Sequence, residues 1–264
     1  MLTVDTYPTL AEAAQNIGPG SRFLGGGTIV MRSVNYGDQS FNRVVRTTDP
    51  ALKVIRAESS RVTIGVAVRM ADVIASSDLD FLMPAARGVG GPAVRNMATV
   101  GGNLFAAHPY GDFTTALLAL DATVRTSDGR EQLLETFLAD RDRFAGLVES
   151  ISVARPMRGD FRFAKVSRVK PKGVSVLSVA AWLPKYSGRM QNARVAFGAM
   201  GPTPLRAKAA EQALEGATLD DAGVARALDV ACEGLSPADD ALASAWYRRE
   251  VAPVHLKRLL LERG

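Results

Sequence analysis

The chain has 264 residues, 47% apolar and 22% charged, which suits one large globular domain or two modest ones. With one cysteine and two histidines it can build neither a disulfide framework nor an iron–sulfur cluster on its own thiolates, and a His/Cys zinc site is not expected. The net charge of +5 is scattered, densest at 141–143, 168–172 and 248–249; with no basic helix face interleaved with aromatics, no nucleic-acid partner is expected, and the charge suits solvent, an anionic cofactor or an acidic partner subunit.

Residues 1–5 lack the basic-then-apolar pattern of a leader, so a soluble, cytoplasmic protein is expected. Thr9 is placed to cap a helix through Ile17, and Glu12 three residues on completes a capping box. Gly18-Pro19-Gly20 stops that helix. Arg22-Phe23-Leu24 reads as a short strand leading into Gly25-Gly26-Gly27-Thr28, and residues 43–45 as another strand. Residues 52–56 and 61–68 read as a hairpin turning at Ser59-Ser60, because Val62, Ile64 and Val66 alternate with Thr63 and Gly65. Residues 71–76 and 81–89 read as helices. After Thr99-Val100-Gly101-Gly102-Asn103 a helix starts at Asp112, with Phe113, Ala116, Leu117 and Leu120 at helical spacing. A strand at 122–126 ends at the turn Ser127-Asp128-Gly129. Beyond Asp160, strands are predicted at 161–169, 174–182 and 192–197, and helices at 205–215, 221–233 and 254–262. The apolar run 174–184 is too short to span a bilayer. Strands followed by helices predict an α+β layer rather than a doubly wound sheet.

Gly25-Gly26-Gly27-Thr28 directly follows a strand. Glycines let a ligand approach the backbone, successive amides form a concave anion site, and Thr28 adds a hydroxyl. The same residues can equally make a bare tight turn. Thr99, Gly101, Gly102 and Asn103 form a second turn of like chemistry. Two amide nests on opposite sides would neutralise a diphosphate better than one, so the pair carries more than either member. Between them, Gly88-Val89-Gly90-Gly91-Pro92-Ala93 fits the dinucleotide fingerprint in letters only: the preceding residues read as helix and Pro92 interrupts the motif. Asp112 can cap its helix, accept from a ribose or adenine, or do both. His108 lies on the loop before it. Lys165 and Arg168, three apart on a strand, point to opposite faces. Cys232 falls on an apolar helix face. No nucleophile–base or paired-carboxylate constellation emerges, so the chain reads as the holder of a cofactor.

With its two glycine turns and their neighbours, the chain resembles the FAD-binding medium subunit of the xanthine dehydrogenase and carbon monoxide dehydrogenase family, the molybdenum hydroxylases. Leu24–Thr28 with Met31-Arg32 is similar to its first flavin motif. Val94-Arg95-Asn96 through Leu104, then Pro109, Gly111-Asp112 and residues 116–120, is similar to its second. Residues 163–168, 198–206 and Tyr247-Arg248-Arg249 extend the match. The resemblance implies an α+β fold. Residues 1–159 would form a two-subdomain FAD-binding domain of vanillyl-alcohol-oxidase (PCMH) type, and residues 160–264 an antiparallel sheet covered by helices. It implies FAD on this chain, with the molybdopterin cofactor on a large subunit and [2Fe–2S] clusters on a small one, as a dimer of heterotrimers whose flavin passes electrons to an external acceptor. A standalone FAD-dependent reductase or oxidase of the same fold is the alternative. Carried over by position, Gly25, Gly26, Gly27, Thr28 and Ile29 would wrap one side of the diphosphate, and Thr99, Gly101, Gly102 and Asn103 the other. Asp112 would bind near the ribose, and Lys165 would stand near the flavin. The chain departs from the pattern at Ile29 (often polar), at His108 (usually small or acidic), at Val68-Arg69 (a small polar pair), and at Lys172-Gly173 (Met-Asp).

Overall fold

The computed structural model describes residues 2–169 and 173–262; Lys172, one of the predicted departures, lies outside them. The amino-terminal part opens with β1 (Thr3–Tyr7), α1 (Leu10–Asn16), β2 (Ser21–Phe23), α2 (Val30–Asn35) and β3 (Arg43–Thr47). Here β1 and β2 flank β3 in a small parallel sheet. The first strand is absent from the sequence reading because its residues are largely exposed and show no apolar alternation. Thr9 does cap α1, accepting from the Glu12 amide at 3.2 Å. The capping box is not closed, because the Thr9 hydroxyl donates to Glu12 Oε1 instead.

The predicted hairpin forms as β4 (Ile55–Ala57) and β5 (Arg61–Gly65), shorter than its apolar letters suggested. Helices α3 (Met70–Ala75), α4 (Met83–Gly88), α5 (Pro92–Arg95), α6 (Val100–Leu104) and α7 (Asp112–Ala119) follow, then β6 (Thr123–Thr126), β7 (Glu131–Leu133), α8 (Leu134–Asp140) and β8 (Val148–Ala154). An antiparallel sheet of order β4-β5-β8-β6-β7 results. Its central strand, β8, is missing from the sequence reading for a physical reason. The register slips between Arg125 and Thr126, a bulge that lets Val148 and Ile151, three apart, both face the core. The period-two pattern is broken where the bulge sits.

The carboxy-terminal part contains β9 (Phe161–Ser167), β10 (Ser175–Trp182), a small hairpin of β11 (Lys185–Tyr186) and β12 (Arg189–Met190), β13 (Arg194–Gly198), β14 (Leu205–Arg206), α9 (Lys208–Leu214), α10 (Asp221–Asp229) and α11 (Ala245–Leu260). The three predicted strands are antiparallel neighbours in a sheet of order β14-β13-β10-β9. Alternation along β10 settles the packing: Leu177, Val179 and Ala181 join the core under α9, α10 and α11, while Ala180 joins the amino-terminal core around α7. The last helix begins nine residues before the predicted start, because Pro253 lies inside it and does not end it. Proline has no N–H to give the Arg249 carbonyl; the Cys232 thiol approaches that carbonyl at 3.6 Å instead. No described helix is long and apolar enough to cross a membrane.

All eight residues of α7 are buried, between the two halves of the molecule. A helix buried all round must satisfy its polar side chains internally. Asp112, Thr114 and Thr115 do so through three different parts of the chain, and that arrangement places the candidate site.

Candidate cofactor site

The first glycine turn leaves β2 and runs into α2. Only Gly27 has positive φ (+74°). Among the described residues, no hydrogen bond uses the amides of Gly25, Gly26, Gly27, Thr28 or Ile29, or the Thr28 hydroxyl. Five successive donors are therefore left for an outside acceptor, at the start of a helix with no buried residue of its own. The Ile29 side chain has no polar atom, so only its amide can donate to such a ligand.

The second turn is different, and here the sequence reading needs correction. Thr99 is the N-cap of α6, accepting from the Gly102 amide at 3.1 Å. The Gly101 amide donates to the Val66 carbonyl at 2.9 Å and the Asn103 amide to that of Thr99 at 3.0 Å. This turn is therefore not a second amide nest. The donors it keeps are side-chain groups: the Thr99 hydroxyl hydrogen and the Asn103 amide nitrogen. The Asn103 oxygen is taken by Thr114, whose amide donates to it at 2.9 Å. A neighbouring segment fixes the turn: Val100 donates to the Val68 carbonyl and Met70 to that of Ala98. The Arg69 guanidinium in this segment holds the Asp72 carboxyl below the usual carboxylate range despite partial burial.

The glycines are needed chiefly where the turns meet. A Cβ on Gly26 would overlap the Met97 carbonyl, one on Gly25 would lie 2.9 Å from Thr99 Oγ1, and one on Gly101 would lie 2.7 Å from the Val66 Cβ. The two turns abut at Gly25–Thr99 and Gly26–Met97.

Asp112 does not cap α7. Gly111, at φ +107°, is the N-cap, and Asp112 is the first helical residue. Its side chain is 9% exposed; Oδ1 accepts from Ser175 Oγ at 2.6 Å and Oδ2 pairs with Lys165 Nζ at 3.0 Å. The two residues predicted to serve separate ends of the ligand are thus an ion pair. Lys165 also donates to the Gly88 carbonyl at 2.7 Å, and among the described residues it bonds to neither glycine turn. Arg168 lies past the end of β9 and is exposed. The Gly88–Ala93 segment starts at the end of α4 and continues into α5, with no strand before it.

Several contacts around the site could not be read from the sequence. Arg32 donates to the Tyr110 hydroxyl at 2.6 Å and lies over the Tyr36 ring, joining α2 to the loop before Asp112. His108 Nε2 lies 2.7 Å from Asp240 Oδ2, which also accepts from Arg248 Nη2 at 2.7 Å. Burial works against the charge on Asp240. The His108 contact, the Ala243 and Leu242 amides and Arg248 outweigh it and hold the carboxyl far below its ordinary value. Only the Tyr247-Arg248-Arg249 match hinted at Arg248; the acidic partner, eight residues away, gave no signal. No described group of His, Cys, Asp and Glu could hold a metal ion.

The chain is similar to known proteins along most of its length. The model of the family described as the FAD binding domain in molybdopterin dehydrogenase matches residues 1–153, and that of the CO dehydrogenase flavoprotein C-terminal domain matches residues 162–263. The chain is 27% identical to the carbon monoxide dehydrogenase medium chain of Hydrogenophaga pseudoflava, covering 80% of this chain and 77% of that one. It is 25% identical to a putative xanthine dehydrogenase FAD-binding subunit of Escherichia coli, over 96% and 93% respectively. The fold matches a solved carbon monoxide dehydrogenase from H. pseudoflava lacking the Mo-pyranopterin moiety, with a TM-score of 0.87 at 24% identity, over 98% of this chain and 96% of that one.

Proposed function

The chain belongs to the family of FAD-binding subunits of molybdopterin dehydrogenases, and from that premise we propose how it holds FAD and what the flavin does there. The observation that carries the proposal is the run of five unengaged amides from Gly25 to Ile29, packed against a turn whose remaining donors are side chains. The FAD diphosphate lies on those amides and the Thr28 hydroxyl, with Thr99 and Asn103 donating from the adjoining turn. Gly25 and Gly26 let the turns come together, while Gly101 lets the second lie against Val66 and Gly102 donates to Thr99. Asp112 keeps lone pairs beyond its two contacts, so a ribose hydroxyl can donate to it, and Lys165 fixes its orientation. FAD supplies the redox chemistry that no side chain here offers; the protein binds, orients and shields it. With Cys232 as the chain's sole cysteine, iron–sulfur thiolates must come from another subunit.

The chain is accordingly the electron-transfer subunit of a cytoplasmic molybdenum hydroxylase. It takes electrons from a [2Fe–2S] subunit served by a molybdopterin-binding large subunit and passes them to an external acceptor, in a dimer of heterotrimers. Residues 1–159 form the PCMH-type FAD domain and residues 160–264 the carboxy-terminal domain. A titration tests the central claim. The full chain should bind FAD at micromolar concentration, with ADP competing and riboflavin, which lacks the diphosphate, binding far more weakly. No FAD binding, or riboflavin binding equally well, overturns it.

A further inference from the structure

Arg248 is fully buried on α11, an expensive place for a guanidinium unless each of its nitrogens finds an acceptor. Nε donates to the Val176 carbonyl at 2.8 Å, Nη1 to those of Ala238 and Ala243 at 2.6 and 2.9 Å, and Nη2 to Asp240 Oδ2 at 2.7 Å. Asp240 Oδ1 accepts from the Leu242 and Ala243 amides at 2.8 and 3.0 Å. These bonds knit residues 238–243 and the start of β10 into one unit.

Two routes run from that unit to the candidate cofactor site. One leaves through Asp240 Oδ2 to His108 Nε2 at 2.7 Å. His108 begins the short stretch that carries Tyr110, bonded to Arg32 on α2, and Gly111, which caps α7. The other leaves through Val176 to its neighbour Ser175, whose hydroxyl donates to Asp112 at 2.6 Å. Both converge on residues 108–112. A residue needed only to glue the halves together would not have to address both ends of one loop.

We propose that Arg248, Asp240 and His108 act as positioning residues for the cofactor: they set the loop 108–112, and through it Asp112 and the Arg32–Tyr110 contact, in the geometry that FAD requires. The inference rests on the FAD reading above.

The test uses the full chain with FAD, comparing wild type, His108→Ala and His108→Gln. The glutamine amide nitrogen can take the place of the ring Nε2 and donate to Asp240. Three quantities are measured: FAD affinity, the visible circular dichroism of the bound flavin, and the unfolding temperature without FAD. For a hydrogen bond to a charged group, His108→Ala should weaken FAD by about tenfold or more and alter the flavin dichroism. His108→Gln should restore both. Wild-type affinity and dichroism in His108→Ala, or His108→Gln as weak as His108→Ala, overturns the proposal. A fall in unfolding temperature with unchanged affinity and dichroism also overturns it, because that is the mark of a merely structural contact. Failure of the wild type to bind FAD overturns the cofactor reading instead.

Discussion

The two glycine turns look alike as strings of letters, each pairing glycines with a threonine. In the folded chain one leaves its amides open at the start of α2, while the other spends them on Thr99, Val66 and a helical turn. α2 buries nothing; α6 buries Val100 and Leu104. The first turn is a surface of open donors, and the second is the wall packed against it. A glycine-rich motif therefore acquires its function from where its amides go, which composition does not specify.

The largest effect should come from the wall. Asn103 fastens the second turn to Thr114 on α7, whose first residue is Asp112. Lys165→Met leaves that carboxylate buried and unpaired, and should cost about 3–5 kcal/mol of stability in urea unfolding of the FAD-free chain. The double variant with Asp112→Asn should cost less than Lys165→Met alone.

Next is the seam between the turns. Gly26→Ala pushes a Cβ into the Met97 backbone, so stability should fall by about 1–3 kcal/mol and FAD affinity with it. If this variant keeps wild-type stability and affinity, the close packing of the turns is wrong.

The threonines separate the turns most directly. Thr99→Ala removes a helix cap and should lower FAD-free stability by about 1 kcal/mol. Thr28→Ala should leave that stability within about 0.5 kcal/mol of wild type, while weakening FAD by about tenfold. Equal destabilisation by the two variants would falsify the distinction between surface and wall.

The smallest effect concerns pH. Asp240 has a depressed carboxyl pKa in the folded state, so its contribution is present above its unfolded value of about 3.9 and is lost as pH falls through the lower folded value. Asp240→Asn removes that contribution to the slope of stability against pH. In strong acid it should flatten that slope, as acid unfolding would reveal.

The sequence by itself determined the α+β character, the α1 cap at Thr9, the three carboxy-terminal strands and the position of the first turn, because local periodicity and turn chemistry act over a few residues. It also singled out Asp112 and Lys165 as residues to examine. Only the tertiary structure decided which amides remain free, that Asp112 and Lys165 are partners rather than separate contacts, and that Gly111 takes the cap. It alone exposed the bulge that hides β8 and the hydrogen bonds of the buried Arg248. The reason is the same throughout. Hydrogen-bond partners 53 residues apart, as Asp112 and Lys165 are by subtraction of their numbers, leave no mark on local pattern. A buried polar group reveals its use only when its neighbours are in place.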